Sequence, residues 1–167
     1  DADHSGGQYP LIILSHGYPG SSLIFTYLSE NLASKGYVVA SINHTDSTYL
    51  DAGPFPSTLI NRSLDQLFVL DEMDRLSQTN SGSFLSELVD ASNTGIAGYS
   101  MGSYGVLNVA GAGYSDEYVE AFKEMTNGSN VLAARGIQSE EYRNSLDMRI
   151  KAIVAFAPWG MGKGVWD

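Results

Sequence analysis

The stretch Thr94-Gly95-Ile96-Ala97-Gly98-Tyr99-Ser100-Met101-Gly102-Ser103-Tyr104-Gly105-Val106-Leu107 passes from a strand-like run into a helix-like one through a turn of the form Gly-x-Ser-x-Gly. The pattern alone is weak, since in a chain with 18 glycines among 167 residues chance gives about 0.2 such matches. Its context decides. A buried strand over Thr94 to Tyr99 meets a helix over Met101 to Ala110 with no loop between them. A serine on so abrupt a turn has its hydroxyl pushed out at the carboxyl edge of a sheet, and the flanking glycines leave room for the turn. An ordinary serine in a glycine-rich turn is the competing reading, and the flanking strand and helix weigh against it.

Working outward, Leu11-Ile12-Ile13-Leu14 is a continuous apolar run that follows Ser5-Gly6-Gly7 and Pro10, and it suits a parallel strand buried on both faces. Ser21 or Ser22 then caps a helix whose Phe25, Leu28 and Leu32 share one stripe, with Gly36 placed to end it. Tyr37 to Ile42 reads as the next strand. A polar loop from His44 to Pro56 leads to a long helix over 57–77, with Ile60, Leu64, Leu67, Met73 and Leu76 at helical spacing. Ile150 to Phe156 reads as the fourth strand. The alternation predicts an α/β fold, a doubly wound and mostly parallel sheet, in one domain spanning 1–167. Between the third crossover helix and the last strand lies 111–148, a helical, lid-like insertion. Ser115-Asp116-Glu117 and Ser139-Glu140-Glu141 are its helix starts, joined through Asn127-Gly128.

A second chemical element, Ser15-His16-Gly17-Tyr18-Pro19-Gly20, sits at the carboxyl end of the first strand. A donor that steadies a developing oxyanion there must be a backbone N–H, and Pro19 has none. The Tyr18 and Met101 N–H groups are therefore the expected pair. His16, read alone, is equally a hydrogen-bonded histidine at a strand-ending turn.

These residues carry a family resemblance. The chain resembles the α/β-hydrolase superfamily, and within it the bacterial enzymes similar to platelet-activating-factor acetylhydrolases, dienelactone-hydrolase-like esterases and cutinase-type polyesterases. The resemblance rests on Pro10 to Gly17, on Leu32 to Val39 leading to Asn43-His44-Thr45-Asp46, on Gly98 to Gly102, and on Lys151 to Trp159. It implies that Ser100 is a nucleophile, that Tyr18 and Met101 form an oxyanion hole, and that Trp159 stands beside the acyl site, with His16 and His44 as further substrate-binding candidates. The implied activity is that of a serine carboxylesterase acting through an acyl-enzyme on small or short-chain esters, with no cofactor and no metal. Acyl transfer, peptide hydrolysis and a non-catalytic binding module of the same fold are the alternatives.

The departures are informative. Dienelactone hydrolase has cysteine at the elbow where this chain has Ser100, which favours ester chemistry. The plasma-type acetylhydrolases carry an acid where Ala157-Pro158 stands here, and the polyesterases lack an insertion like 111–148. All three histidines, His4, His16 and His44, precede Ser100, whereas this fold orders its triad Ser, acid, His. The acid and the base are thus expected beyond Asp167. The domain is expected to be incomplete at both ends, with the remainder of the hydrolase domain as its partner.

Composition narrows the classes further. Nine basic against 19 acidic residues give a net charge of −10, so nothing tracks a phosphate backbone and nucleic acid is a poor partner. Without cysteine there is no disulfide framework, thiolate metal site or cysteine nucleophile. No apolar run is long enough to span a bilayer. The acidic, lysine-poor composition and the resemblance together suggest a secreted or periplasmic location.

Overall fold

Tyr9–Ser15 (β1), Val38–Ile42 (β2), Val89–Tyr99 (β3) and Ile150–Phe156 (β4) form a single parallel sheet in the order β2-β1-β3-β4. The computed structural model describes residues 4–166. Thr26–Ala33 (α1) links β1 to β2, Phe55–Ser77 (α2) links β2 to β3 across β1, and Met101–Val109 (α3) follows β3. Because right-handed crossovers running in opposite directions along a sheet fall on opposite faces, α1 lies on one face and α2 and α3 on the other. The core under α2 and α3 joins Leu11, Ile13 and Ile96 of the sheet to Leu70, Val106 and Val109 of the helices. Each such side chain contributes about 1.5–3 kcal/mol on burial.

Register positions the site. Ser15 pairs with Gly98, and Tyr99 with Phe156, so the carboxyl ends of β1, β3 and β4 finish level. The segments leaving those three ends are Ser15-His16-Gly17, Ser100, and Ala157-Pro158-Trp159.

Three elements differ from the sequence expectation. The third strand starts at Val89 instead of Thr94, and its pairing with β1 jumps between Pro10 and Leu11. The Asp90 carboxylate accepts hydrogen bonds from Ser92 and Asn93 there, so the turn-like Asp90-Ala91-Ser92-Asn93 forms a bulge within the strand. The second helix starts at Phe55 instead of Ser57 and buries Thr58, Leu59, Arg62, Ser63, Gln66 and Leu70, while Leu64 of the expected stripe is 44% exposed. Its first half packs on polar groups at the strand ends, and a purely apolar periodicity misses that face. The first helix opens as a 3-10 turn over Ser22–Phe25, with the Ser21 side chain accepting from the Leu23 N–H.

The segment 111–148 forms helices Asp116–Met125 (α4) and Glu140–Asn144 (α5), joined through a 3-10 turn at Val131–Arg135. Ser115 and Ser139 cap the two helices through their side chains. Tyr114, Tyr118, Phe122 and Leu132 pack into one cluster with Leu59, Met101 and Tyr104. Asn108 of α3 is bonded from this segment by Arg135 and by the Tyr142 hydroxyl. On the far side of the sheet, β4 exposes Val154 and Phe156, each 47% accessible.

Candidate active site

Ser100 sits between β3 and α3 with φ 53° and ψ −111°, a conformation costing a non-glycine residue about 1–3 kcal/mol. Three main-chain bonds hold it there. Its N–H donates to the Phe156 carbonyl at 2.9 Å, and its carbonyl accepts from Tyr104 N and Trp159 N, each at 3.1 Å. The flanking glycines are sterically required: a β-carbon on Gly98 would lie 2.4 Å from the Gly102 carbonyl carbon, and one on Gly102 would lie 2.0 Å from the Ser15 carbonyl oxygen. The Ser103 hydroxyl reaches the Gly98 and Phe156 carbonyls, tying the turn to β4.

The loop after β1 lies against this turn. A β-carbon on Gly17 would stand 3.4 Å from Ser100 Cβ. Among the described residues the Tyr18 N–H has no backbone acceptor. Met101, the first residue of α3, carries one of the N–H groups that a helix leaves without an internal partner. The Tyr18 hydroxyl donates to the Gly53 carbonyl at 2.6 Å, and the Tyr18–Pro19 peptide bond is cis. Tyr18, Phe55 and Trp159 form a half-buried aromatic row, their rings meeting edge to face at 5.4 and 5.3 Å. Trp159 is next to Ser100 through its main chain, and Lys163 lies over its ring at 5.2 Å.

His16 and His44, expected to line the cleft, lie beneath it, 1% and 2% exposed, with all four ring nitrogens engaged. His16 Nδ1 is 2.6 Å from the Gly17 carbonyl oxygen, and its Nε2 accepts from the His44 main-chain N–H at 3.2 Å. His44 Nε2 is 2.8 Å from Ser15 Oγ, and its Nδ1 is 2.7 Å from an Asp65 carboxylate oxygen. Substrate contact is closed to both rings because their polar atoms are used inside the protein. Burial holds both imidazoles below their usual titration range, His44 at about 4 despite the neighbouring Asp65 carboxylate. Both are neutral at pH 7. His4 lies in a 3-10 turn before β1, at the opposite end of that strand from Ser100.

Helix α2 supplies residues that motif reading missed. Gln66 Nε2 donates to Ser15 Oγ and to the Gly102 carbonyl, both at 2.9 Å. Arg62, whose side chain burial lowers to about 10, donates to the His16 carbonyl and to Ser47 Oγ. The available signal was a polar stripe, Thr58, Arg62, Asp65 and Gln66, at helical spacing opposite the apolar one. Among the described residues, no group of three or more histidine, aspartate or glutamate side chains is gathered to hold a metal, and no helix is long and apolar enough to cross a membrane.

A family model described as PET hydrolase-like matches residues 2–121. Cutinase est1 of Thermobifida alba is 31% identical over 102 residues, which is 61% of this chain and 30% of that protein. Platelet-activating factor acetylhydrolase of Bos taurus is 41% identical over 44 residues, 26% of this chain and 10% of its own. A ferulic acid esterase structure from Streptomyces cinnamoneus aligns with a TM-score of 0.47 and 35% identity over 59% of this chain and 32% of that one. The chain thus spans about a third or less of the length of these relatives.

Proposed function

The chain belongs to the PET hydrolase-like family of α/β hydrolases, and from that premise we propose that it carries the nucleophile and oxyanion half of a serine carboxylic-ester hydrolase. The observation that carries the reading is the backbone of Ser100, held at φ 53° between strand and helix with Gly17 packed against it. In this reading Ser100 Oγ gives its proton to a base and attacks the ester carbonyl, and the Tyr18 and Met101 N–H groups receive the developing negative oxygen. The alcohol leaves with that proton, and water then cleaves the acyl-serine to the free acid and Ser100. Two donors aimed at that oxygen lower the barrier by several kcal/mol between them. The general base is a histidine other than the three of this chain, since His16 and His44 are sequestered and His4 lies at the wrong end of β1. An acid partner orients that histidine.

Tyr18, Phe55 and Trp159 offer one apolar wall to the substrate. The 111–148 segment, packed on Tyr104, bounds the site as a lid-like insertion, which favours small esters. A secreted or periplasmic location accords with the acidic charge balance. The test is hydrolysis of p-nitrophenyl acetate and butyrate by the full-length protein. Wild type turns over and Ser100→Ala falls to the uncatalysed rate; undiminished hydrolysis by Ser100→Ala sinks the reading.

One observation favours a second reading. Among the described residues no histidine reaches Ser100, as expected of a non-catalytic binding module with a relict elbow. A folded full-length protein whose Ser100 resists an organophosphonate would favour it.

A further inference from the structure

The two buried histidines are connected in one direction only. The Asp65 carboxylate only accepts, so the proton of the neutral His44 ring sits on Nδ1, directed at Asp65, and the Ser15 hydroxyl, which accepts from Gln66 Nε2, donates to His44 Nε2. The His44 main-chain N–H donates to His16 Nε2, which places the His16 proton on Nδ1, directed at the Gly17 carbonyl. The two rings also meet edge to face at 5.1 Å. The chain ends on the peptide that matters most for the site. Within a trans peptide the carbonyl and the following N–H point in opposite directions in one plane. A bond that fixes the Gly17 carbonyl therefore aims the Tyr18 N–H.

We propose that His16 and His44 are a positioning pair for the oxyanion hole: His16 sets the Gly17–Tyr18 peptide plane, and His44, clamped between Ser15 and Asp65, sets His16. The inference rests on the serine-hydrolase reading and adds residues to it. Gln66 ties the two donors together, because the same side-chain nitrogen group holds Ser15 at the head of one loop and the Gly102 carbonyl just after Met101. Neither histidine touches substrate. Their work is to hold a backbone N–H within the narrow range in which it meets an oxyanion, where displacement of about 1 Å costs on the order of a hundredfold in rate.

The experiment measures kcat and KM for p-nitrophenyl acetate in the full-length enzyme, normalised to sites titrated to completion by a fluorophosphonate. The variants are His16→Leu, His16→Asn and Asp65→Ala. Asparagine carries an N–H donor close to the place of His16 Nδ1, whereas leucine carries none. The expected result is a ten- to hundredfold fall in kcat per titrated site for His16→Leu, with KM within about twofold. His16→Asn recovers most of that loss, and Asp65→Ala, which frees one end of the clamp on an accessible side chain, falls several-fold. Should His16→Leu fail to fold, Gly20→Ala replaces it, because a β-carbon there would stand 2.5 Å from His16 Nδ1 and push the ring aside. Unchanged kcat per titrated site, a change confined to KM, or an asparagine variant no better than leucine overturns the pair while leaving the hydrolase reading intact. A wild type untitrated at Ser100 overturns both.

Discussion

Gly102 lies directly beneath Ser15, so closely that a β-carbon on the glycine would fall 2.0 Å from the serine's carbonyl oxygen. The turn that presents Ser100 and the strand end that leads to Tyr18 are thus in main-chain contact, and neither can shift without the other. Gly102→Ala is expected to destabilise the fold by at least about 2 kcal/mol, as overpacking against backbone does. Urea unfolding monitored by tryptophan fluorescence checks this; an unchanged midpoint would contradict the contact.

The strain at Ser100 predicts a difference between two variants that lack its hydroxyl. Ser100→Ala keeps a β-carbon at φ 53°, whereas Ser100→Gly removes it. The glycine variant is expected to be the more stable of the two by about 1 kcal/mol, after allowing for its greater freedom when unfolded. Paired thermal melts decide it, and an alanine variant at least as stable as the glycine one would show that the turn is unstrained.

Much of this was legible in the sequence. The continuous apolar runs of β1 and β4 and the alternation of strands with helices define a parallel α/β sheet, because both depend on local composition. The places of Ser100 and Met101 between strand and helix, and of Tyr18 just past the first strand, follow from where an apolar run gives way to a turn. The bulge at Asp90 and the buried polar face of α2 were not legible. Asp90, Ser92 and Asn93 have the chemistry of a loop, and pairing of Val89 with Tyr9 and of Asp90 with Pro10 keeps the segment in the strand. Thr58, Arg62, Asp65 and Gln66 look like a solvated face until the ends of β1 and β2 are brought against them. For the same reason His16 and His44 looked like cleft residues, since sequence places them at strand ends without showing how deeply the chain buries them.

Acid should weaken the fold through His44. Its pKa is about 4 in the folded protein against 6.5 in the open chain, with Asp65, Arg62 and His16 as the charged or titratable groups facing it. Below pH 6.5 the unfolded chain binds the proton first, so this contribution is complete above 6.5 and is lost as pH falls towards 4, by about 3 kcal/mol in all. His16, also held low by burial, acts in the same sense. Denaturant unfolding of wild type and His44→Asn at pH 7, 5.5 and 4.5 should give a steeper decline for wild type. Parallel declines would place His44 in contact with water.

Phe55 bridges Tyr18 and Trp159. Phe55→Ala should raise KM for esters with an aromatic acyl group about three- to tenfold, the size expected from loss of aromatic edge-to-face packing, and leave kcat nearly unchanged. Steady-state comparison of benzoate and acetate esters tests it. Equal effects on both esters would remove Phe55 from the acyl wall.

In the proposed mechanism Ser100 is an activated nucleophile facing two backbone donors. Its most direct test is reaction of the full-length protein with a fluorophosphonate, with the modified residue located by mass spectrometry. The account predicts stoichiometric labelling at Ser100, abolished by Ser100→Ala and slowed in His16→Leu. Labelling at another serine, or none in a protein shown to be folded, would contradict it.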